Sequence, residues 1–504
     1  MTAPMQKHPI LEAIKNVYST IAVIFSCTLV GGLIFTEQTP LAQNVHPALA
    51  AVLLITFISW LSVVEGGQAS LVGLAPVNRA LYRESHPIAY KCTEISHTGD
   101  NLNRYLLGRQ FMVVFIVFCV NQSGNPIAGA TLWGLPSLLL TIFLGSGLAM
   151  ILVTTNIGQL NSQVNASYCM LDYLNSYANY FTIALARIIE ASGLVHASYL
   201  VQIVVAALAG KPVESREAPR TDLQNIFFFG RCFLSLGILT FALTVTLVAL
   251  FNGQTTMWEG VPNGVAVIVF FLLMAVVGML EGMQIAFFAV SRIPEDERGD
   301  SWIAKKVCNI LFYGNAHNLA GFMIGRQLCV VSCMFFIARV TSLDIDPNSG
   351  DTIFGVSPPV QKFFNFGFLG ALITTILASI AWQLVASAFP ISFLGNPITY
   401  LLLRWCLFLE ATGICNASYV IAWIKKKIMG FQDDAVYIGT AEERRQKAMA
   451  DDDDALSVGP GIITKPPLKE APEELKQLMA TSEAVKVYVS KLANDEAGET
   501  DVDV

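Results

Sequence analysis

The sequence predicts an all-α polytopic membrane protein: ten transmembrane helices arranged as two inverted-topology five-helix repeats, followed by a short cytoplasmic helical or coiled-coil tail. Three observations carry this expectation. Hydrophobic residues make up 54% of the 504 positions and charged residues 14%, which is too apolar for a soluble protein of this length. Ten runs are long enough to cross roughly 30 Å of hydrocarbon. A pair of polar motifs also recurs in both halves at nearly equal spacing.

Residues 1–16, MTAPMQKHPILEAIKN, form a short polar lead with no small-residue cleavage site, so the first span is expected to stay as an anchor. The runs begin near Val17, Pro47, Tyr105, Gly134 and Tyr180, then Ile226, Gly264, Phe322, Phe364 and Ile398. This divides the chain into a first repeat (17–210), an inter-repeat loop (211–225), a second repeat (226–429) and a tail (430–504). The tail holds 17 acidic and 8 basic residues, leaving the rest of the chain at +2. Its Leu475, Leu478, Ser482, Val485, Val489 and Leu492 follow heptad spacing within about 472–493, and Pro472 suits a first helical turn. Such a segment fits self-association or partner binding, and the tail is expected to be dispensable for transport. Nothing points to nucleic acid. The ten cysteines lie mostly in apolar runs without zinc-like spacing and read as small core residues.

The repeat is visible in the motifs. EGGQ at Glu65–Gln68 is followed by GRQ at Gly108–Gln110, and EGMQ at Glu281–Gln284 by GRQ at Gly325–Gln327. EASGLVHASY from Glu190 matches EATGICNASY from Glu410, and Gln163–Tyr199 aligns with Gln383–Tyr419 without a gap. Five spans per unit is an odd number, so the second unit should enter the membrane upside down. Secondary transporters are often built this way, with a site at the interface of the repeats. On this topology both termini are cytoplasmic, with a weak excess of basic residues on that side, and Asn121 of NQSG offers a glycosylation acceptor outside.

Glu65, Arg109, Glu281 and Arg326 would cost roughly 10 kcal/mol if unpaired in lipid, so they must pair, face a wet cavity or sit at the interface. Gly66, Gly67 and Gly282 would let the helices unwind and free backbone carbonyls, which together with the carboxylates would suit a cation such as sodium near Gly66 and Gly282. Gln68, Gln284, Gln110 and Gln327 add paired donors and acceptors beside the arginine forks. That mixture fits a neutral, hydroxyl-rich solute. A pair of Glu–Arg bridges closing two helical hairpins is the plain structural alternative. Glu190 and Glu410 are further candidates, with Arg187 and Arg404 on the same helices at unequal spacing; His196 and Asn416 match in position and suit an interhelical hydrogen bond.

EGxQ followed by GRQ, twice, resembles the diatom silicon transporters, and CMLD at Cys169–Asp172 is similar to a motif of that family. The resemblance implies ten spans, a coiled-coil tail and uptake of orthosilicic acid driven by sodium in marine forms, across the plasma membrane or that of an intracellular vesicle. It makes Glu65, Gly66, Gln68, Gly108, Arg109, Gln110, Glu281, Gly282, Gln284, Gly325, Arg326 and Gln327 the substrate-binding candidates, with sodium as the coupling ion and no other cofactor. Cys169 and Asp172 at i and i+3 make a poor zinc site, and the second copy reads FPIS there. A symporter of another small polar solute and a passive channel remain as alternatives. An enzyme lacks its parts, since the sequence shows no metal-binding His cluster and no nucleophile elbow.

Overall fold

The computed structural model describes residues 9–439, except 128, 211–216, 259, 291–297, 299–300, 349 and 351. In hydrocarbon the backbone must satisfy its own N–H and C=O groups, so the apolar runs become helices. The first half holds α1 (Pro9–Phe35), α2 (Pro47–Leu74), α3 (Pro87–Ser96), α4 (Asn101–Gly124), α5 (Ser137–Gly145), α6 (Leu148–Tyr168), α7 (Met170–Leu174), α8 (Tyr177–Ala191) and α9 (Ala197–Ala209). The second half repeats the order: α10 (Asp222–Phe251), α11 (Asn263–Val290), α12 (Trp302–Leu311), α13 (Tyr313–Thr341), α14 (Pro358–Asn365), α15 (Phe368–Ala388), α16 (Pro390–Leu394), α17 (Pro397–Ala411) and α18 (Ala417–Met429). A last short helix, α19 (Asp434–Ile438), closes the described chain. Helix starts and stops recur 220 residues apart from α6 to α9 and from α15 to α18, and so do π-helical stretches at Thr154–Leu160 and Thr374–Ile380. The hypothetical tail helix around 472–493 lies outside the described residues.

Seven of the described helices are long and apolar enough to cross a membrane, and the bent pair α5–α6 makes an eighth. The fifth and tenth expected spans differ. Each is a pair of helices of 15 and 13 residues, α8–α9 and α17–α18, broken at 192–196 and 412–416. At 1.5 Å per residue neither member reaches across roughly 30 Å. Apolar length alone does not reveal such a break: Gly193 and Gly413 turn the chain at positive φ, and only Ser192 and His196, or Thr412 and Asn416, interrupt the apolar residues there.

This changes the relation between the halves. The C-terminal ends of α4 and α13 meet: Gln122 Nε2 donates to Ser342 Oγ at 3.1 Å. At the same end Trp258, after α10, donates to the carbonyl of Gly145, at the end of α5. At the opposite end Arg104, in the first turn of α4, pairs with Glu217, which precedes α10, at 2.7 Å. Equivalent helices therefore start at one end and finish at the other. The α8–α9 pair returns to the end it left, so each half makes four crossings, and an even number keeps the direction. By these contacts the two copies run parallel, and the expectation of ten spans in inverted topology is not confirmed.

The central pair is α4 and α13, whose apolar windows are 78% and 83% buried, against 33–39% for α1, α2, α10 and α11. The outer helices present apolar side chains such as Val52, Ile55, Phe233 and Leu272 to the surroundings, as lipid contact requires. The halves are interlocked by exchange: α9 packs on α10 and α15 of the second half, and α18 packs on α1 and α6 of the first.

Residues 431–438 were grouped with the soluble tail by composition, yet they pack onto the bundle. Asp434 accepts from the backbone N–H groups of Met170 and Leu171, each at 2.9 Å. Ile438 is buried in the core, and Tyr437 meets His86 edge-on. Asn121, expected in an external loop, is buried within α4 and bonded to Asn125, which leaves it inaccessible to glycosylation.

Candidate functional site

The motif residues meet where the two halves touch. Glu65 on α2 pairs with Arg109 on α4, Oε2 to Nη2 at 2.7 Å. The equivalent pair, Glu281 on α11 and Arg326 on α13, closes at 3.0 Å. All four are at least nine-tenths buried, and such pairs survive in a low-dielectric interior only when the remaining lone pairs and protons find partners.

Those partners link the two bridges into a ring. Arg109 Nη1 donates to Gln110 Oε1 at 3.1 Å, and Gln110 Nε2 crosses to Ser379 Oγ in the second half at 2.7 Å. Gln383 reaches Ser379 at 3.4 Å and Glu281 at 2.8 Å. From Glu281 the chain of bonds passes to Arg326 and, at 3.0 Å, to Gln327. Gln327 Nε2 then crosses back to Gln159 Oε1 at 2.9 Å, and Gln159 returns to Glu65 at 3.3 Å. Gln163 adds a further bond to Glu65 at 3.1 Å. Ser379 and Gln159 are themselves equivalent positions, 220 residues apart, and each lies in a π-helical stretch, a distortion that frequently accompanies function. Within the ring the Nε atoms of Arg109 and Arg326 are buried without a partner, one in each half.

The glycines act through packing. Both α2 and α11 run unbroken through Glu65–Gly67 and Glu281–Gly282. The expected unwinding, and the freed carbonyls on which a sodium site near Gly66 and Gly282 was founded, are therefore absent at these turns. A Cβ on Gly66 would overlap the Tyr173 ring, and one on Gly282 the equivalent Phe393 ring. Gly108 and Gly325 allow a closer approach still, since a Cβ there would collide with the backbone carbonyls of Ala186 and Cys406. These contacts bring α8 and α17 against α4 and α13, holding the arginines one residue later in register.

Gln68 and Gln284 lie three residues beyond the carboxylates, half-buried and outside the ring. Glu190, within α8, accepts from Tyr199 at 2.9 Å and lies away from the ring. Glu410 is half-buried beside Gly321. Asn416 makes an interhelical bond, donating to Asn16 at 3.0 Å, and His196 Nε2 lies 3.7 Å from Glu190. Asp172 accepts from the backbone of Gln432 at 2.6 Å and lies 3.0 Å from His86 Nε2. CMLD is thus a clip for the segment after α18. No group of three metal-ligating side chains occurs among the described residues.

Sequence reasoning missed Gln159, Gln163, Ser379 and Gln383. A signal existed for two of them, because Gln163 and Gln383 open the block that aligns without a gap. It also missed Lys425. This residue of α18 reaches into the first half to donate to Ser62 at 3.0 Å and lies over the Tyr173 ring at 5.0 Å. Ser62 and Tyr173 lie one turn before Glu65 and against Gly66 respectively. Their counterparts, Gly278 and Phe393, together with Val205 at the position of Lys425, are apolar or lack a side chain. The surroundings of the two bridges therefore differ although the bridges match.

The arrangement offers carboxylate acceptors, amides of both polarities and unpaired arginine donors at one buried interface, chemistry suited to a compact hydroxylated solute. No curated protein and no solved structure matches the chain. The sequence model of the silicon transporter family matches residues 7–488, nearly the whole length. With a family match that spans both halves, both bridges and the clip, the chain belongs to the silicon transporter family.

Proposed function

We propose that the ring joining Glu65, Arg109, Glu281 and Arg326 binds orthosilicic acid and that the two halves rock about it to expose it to each side in turn. The observation that carries this reading is the pair of cross-half hydrogen bonds, Gln110 to Ser379 and Gln327 to Gln159, beside two unpaired arginine Nε donors. Orthosilicic acid is uncharged near neutral pH and tetrahedral, and its four hydroxyls both donate and accept. It can take the place of the cross-half bonds, satisfying each half separately. Parallel repeats about an axis along the membrane normal are an established architecture for alternating access.

Orientation follows from charge. Among the described residues flanking the long helices, Lys15, Arg79, Arg83, Lys91, Arg104, Arg220, Arg298, Lys305, Lys306 and Lys425–Lys427 fall at one end, with Arg339 and Lys362 at the other. The positive-inside rule makes the first end cytoplasmic, and with it both ends of the described chain. The plasma membrane is the proposed location.

Coupling to sodium is part of the same proposal, with Glu65 and Glu281 as the acidic ligands available once an arginine is drawn away by solute. Proteoliposome uptake of silicic acid with and without an inward sodium gradient tests it. Gradient-dependent accumulation, competed by germanic acid, is expected. Equilibration indifferent to sodium would favour a channel, and uptake insensitive to germanic acid would favour another polar solute.

A further inference from the structure

A cavity of about 490 Å³ lies away from the ring, where the first turn of α4, the α8–α9 break and the start of α10 converge, and it is lined by Arg104, Arg187, Glu190, His196, Arg220 and Arg231 among others. Its lining sets four arginines against one carboxylate. Glu190 is already engaged by Tyr199. Arg104 pairs with Glu217. Among the described residues Arg187, Arg220 and Arg231 have no carboxylate partner: Arg187 donates to Asn101 at 3.2 Å, Arg231 to the carbonyl of Ala191 at 3.1 Å, and Arg220 stacks 3.9 Å over the Phe228 ring. Buried polar atoms there lack partners too, namely Arg231 Nε and Nδ1 of the almost fully buried His196.

The repeat supplies an internal control. The equivalent positions in the second copy are Gly321 for Arg104, Leu407 for Arg187, Asn416 for His196 and Lys15 for Arg231. That Lys15 is the mate of Arg231 is seen in the glycines they cover, Gly413 and Gly193 respectively. The shared fold therefore holds without this arginine cluster, and the cluster belongs to one half alone.

We infer that this cavity binds a phosphate group. Guanidinium forks match phosphate oxygens in bidentate geometry, and a phosphomonoester of nearly two negative charges answers the excess of arginine over carboxylate. Two sources could present it, a lipid headgroup or free phosphate. The surroundings favour lipid: Ile188, Leu223, Ile226 and Phe227 are 64–69% exposed on the same helices, which suits acyl chains beside a headgroup lodged between helices.

The test uses the full-length protein in nanodiscs of phosphatidylcholine alone, with phosphatidylinositol 4,5-bisphosphate, or with phosphatidylglycerol at equal total charge, and separately with inorganic phosphate added. A ligand that binds the folded state raises the melting temperature. The phosphoinositide should raise it by about 2–4 °C in the wild type, with a smaller shift or none in Arg220→Gln/Arg231→Gln. Protection by inorganic phosphate alone, lost in the variant, would keep the phosphate site and assign it to a soluble source. Equal shifts with phosphatidylglycerol, equal shifts in variant and wild type, or no shift at all would overturn it. If the double variant fails to fold, Arg220→Gln is used, with phosphoinositide retention read by native mass spectrometry; retention equal to wild type would likewise overturn the site.

Discussion

Gln110 of the first half donates to Ser379 of the second at 2.7 Å, and the equivalent Gln327 donates to Gln159 at 2.9 Å in the opposite sense. These two bonds tie the halves together at the level of the buried bridges. Each must break when the halves separate, so they favour the closed interface by about 1 kcal/mol apiece.

Replacing either glutamine by methionine keeps the bulk and removes the bond. The population with the halves parted should rise by about fivefold per substitution, the equivalent of roughly 1 kcal/mol. The rate of thiol labelling at a cysteine introduced at Ser379 reads this directly. An unchanged rate in Gln327→Met, whose bond to Gln159 does not involve Ser379, would mean that these bonds do not hold the interface.

The bridges separate scaffold from site. Glu65→Gln leaves Arg109 as an uncompensated buried charge and should destabilise by about 3–5 kcal/mol. The double variant Glu65→Gln/Arg109→Gln removes both charges and should recover most of that loss in thermal unfolding. Silicic acid uptake in liposomes should stay impaired in the double variant, because the charge-assisted acceptor is gone. Recovery of uptake together with stability would assign the bridge to the scaffold.

At Gly108 and Gly325 the added methyl of alanine would meet a backbone carbonyl, which cannot rotate away. Gly66→Ala meets the side chain of Tyr173 instead. Overpacking by one methyl in a tight core costs typically about 1–3 kcal/mol. Gly66→Ala should therefore lower the melting temperature less when Tyr173 is already alanine than in the wild-type background, whereas shortening neighbouring side chains should not relieve Gly108→Ala.

The segment after α18 marks the boundary of the membrane unit. Truncation after Gly439 should leave stability and uptake near those of the full chain. Truncation after Gly430 removes Asp434, whose two bonds to the backbone of Met170 and Leu171 are charge-assisted and worth about 1.5–3 kcal/mol each. A clear fall in melting temperature is expected only for the shorter protein; equal values would show that the clip adds nothing.

The parallel arrangement makes a labelling prediction. Cysteines placed at Lys91 and Glu217 should react with an impermeant thiol reagent from the same side of the membrane, and one at Lys362 from the other. In an inverted arrangement Lys91 and Glu217 would lie on opposite sides.

Charge in an apolar run is legible without a structure, because hydrocarbon tolerates it only when it is paired or useful. Glu65, Arg109, Glu281 and Arg326 announced themselves for that reason, and their even spacing identified the duplication and the family resemblance. The partners that complete the ring were not legible. A buried glutamine such as Gln159 looks like any polar residue in a helix until the opposite half is brought beside it. Helix direction was also hidden, since it depends on whether a mostly apolar run crosses or turns back, and the short polar interruptions at 192–196 and 412–416 do not by themselves say which. By itself the sequence determined which residues must be buried together and that there are two copies of them. Tertiary structure decided that the copies run parallel, that their glycines serve close packing, and that each bridge is completed by an amide or hydroxyl from the other half, because those outcomes depend on contacts between segments far apart in the sequence.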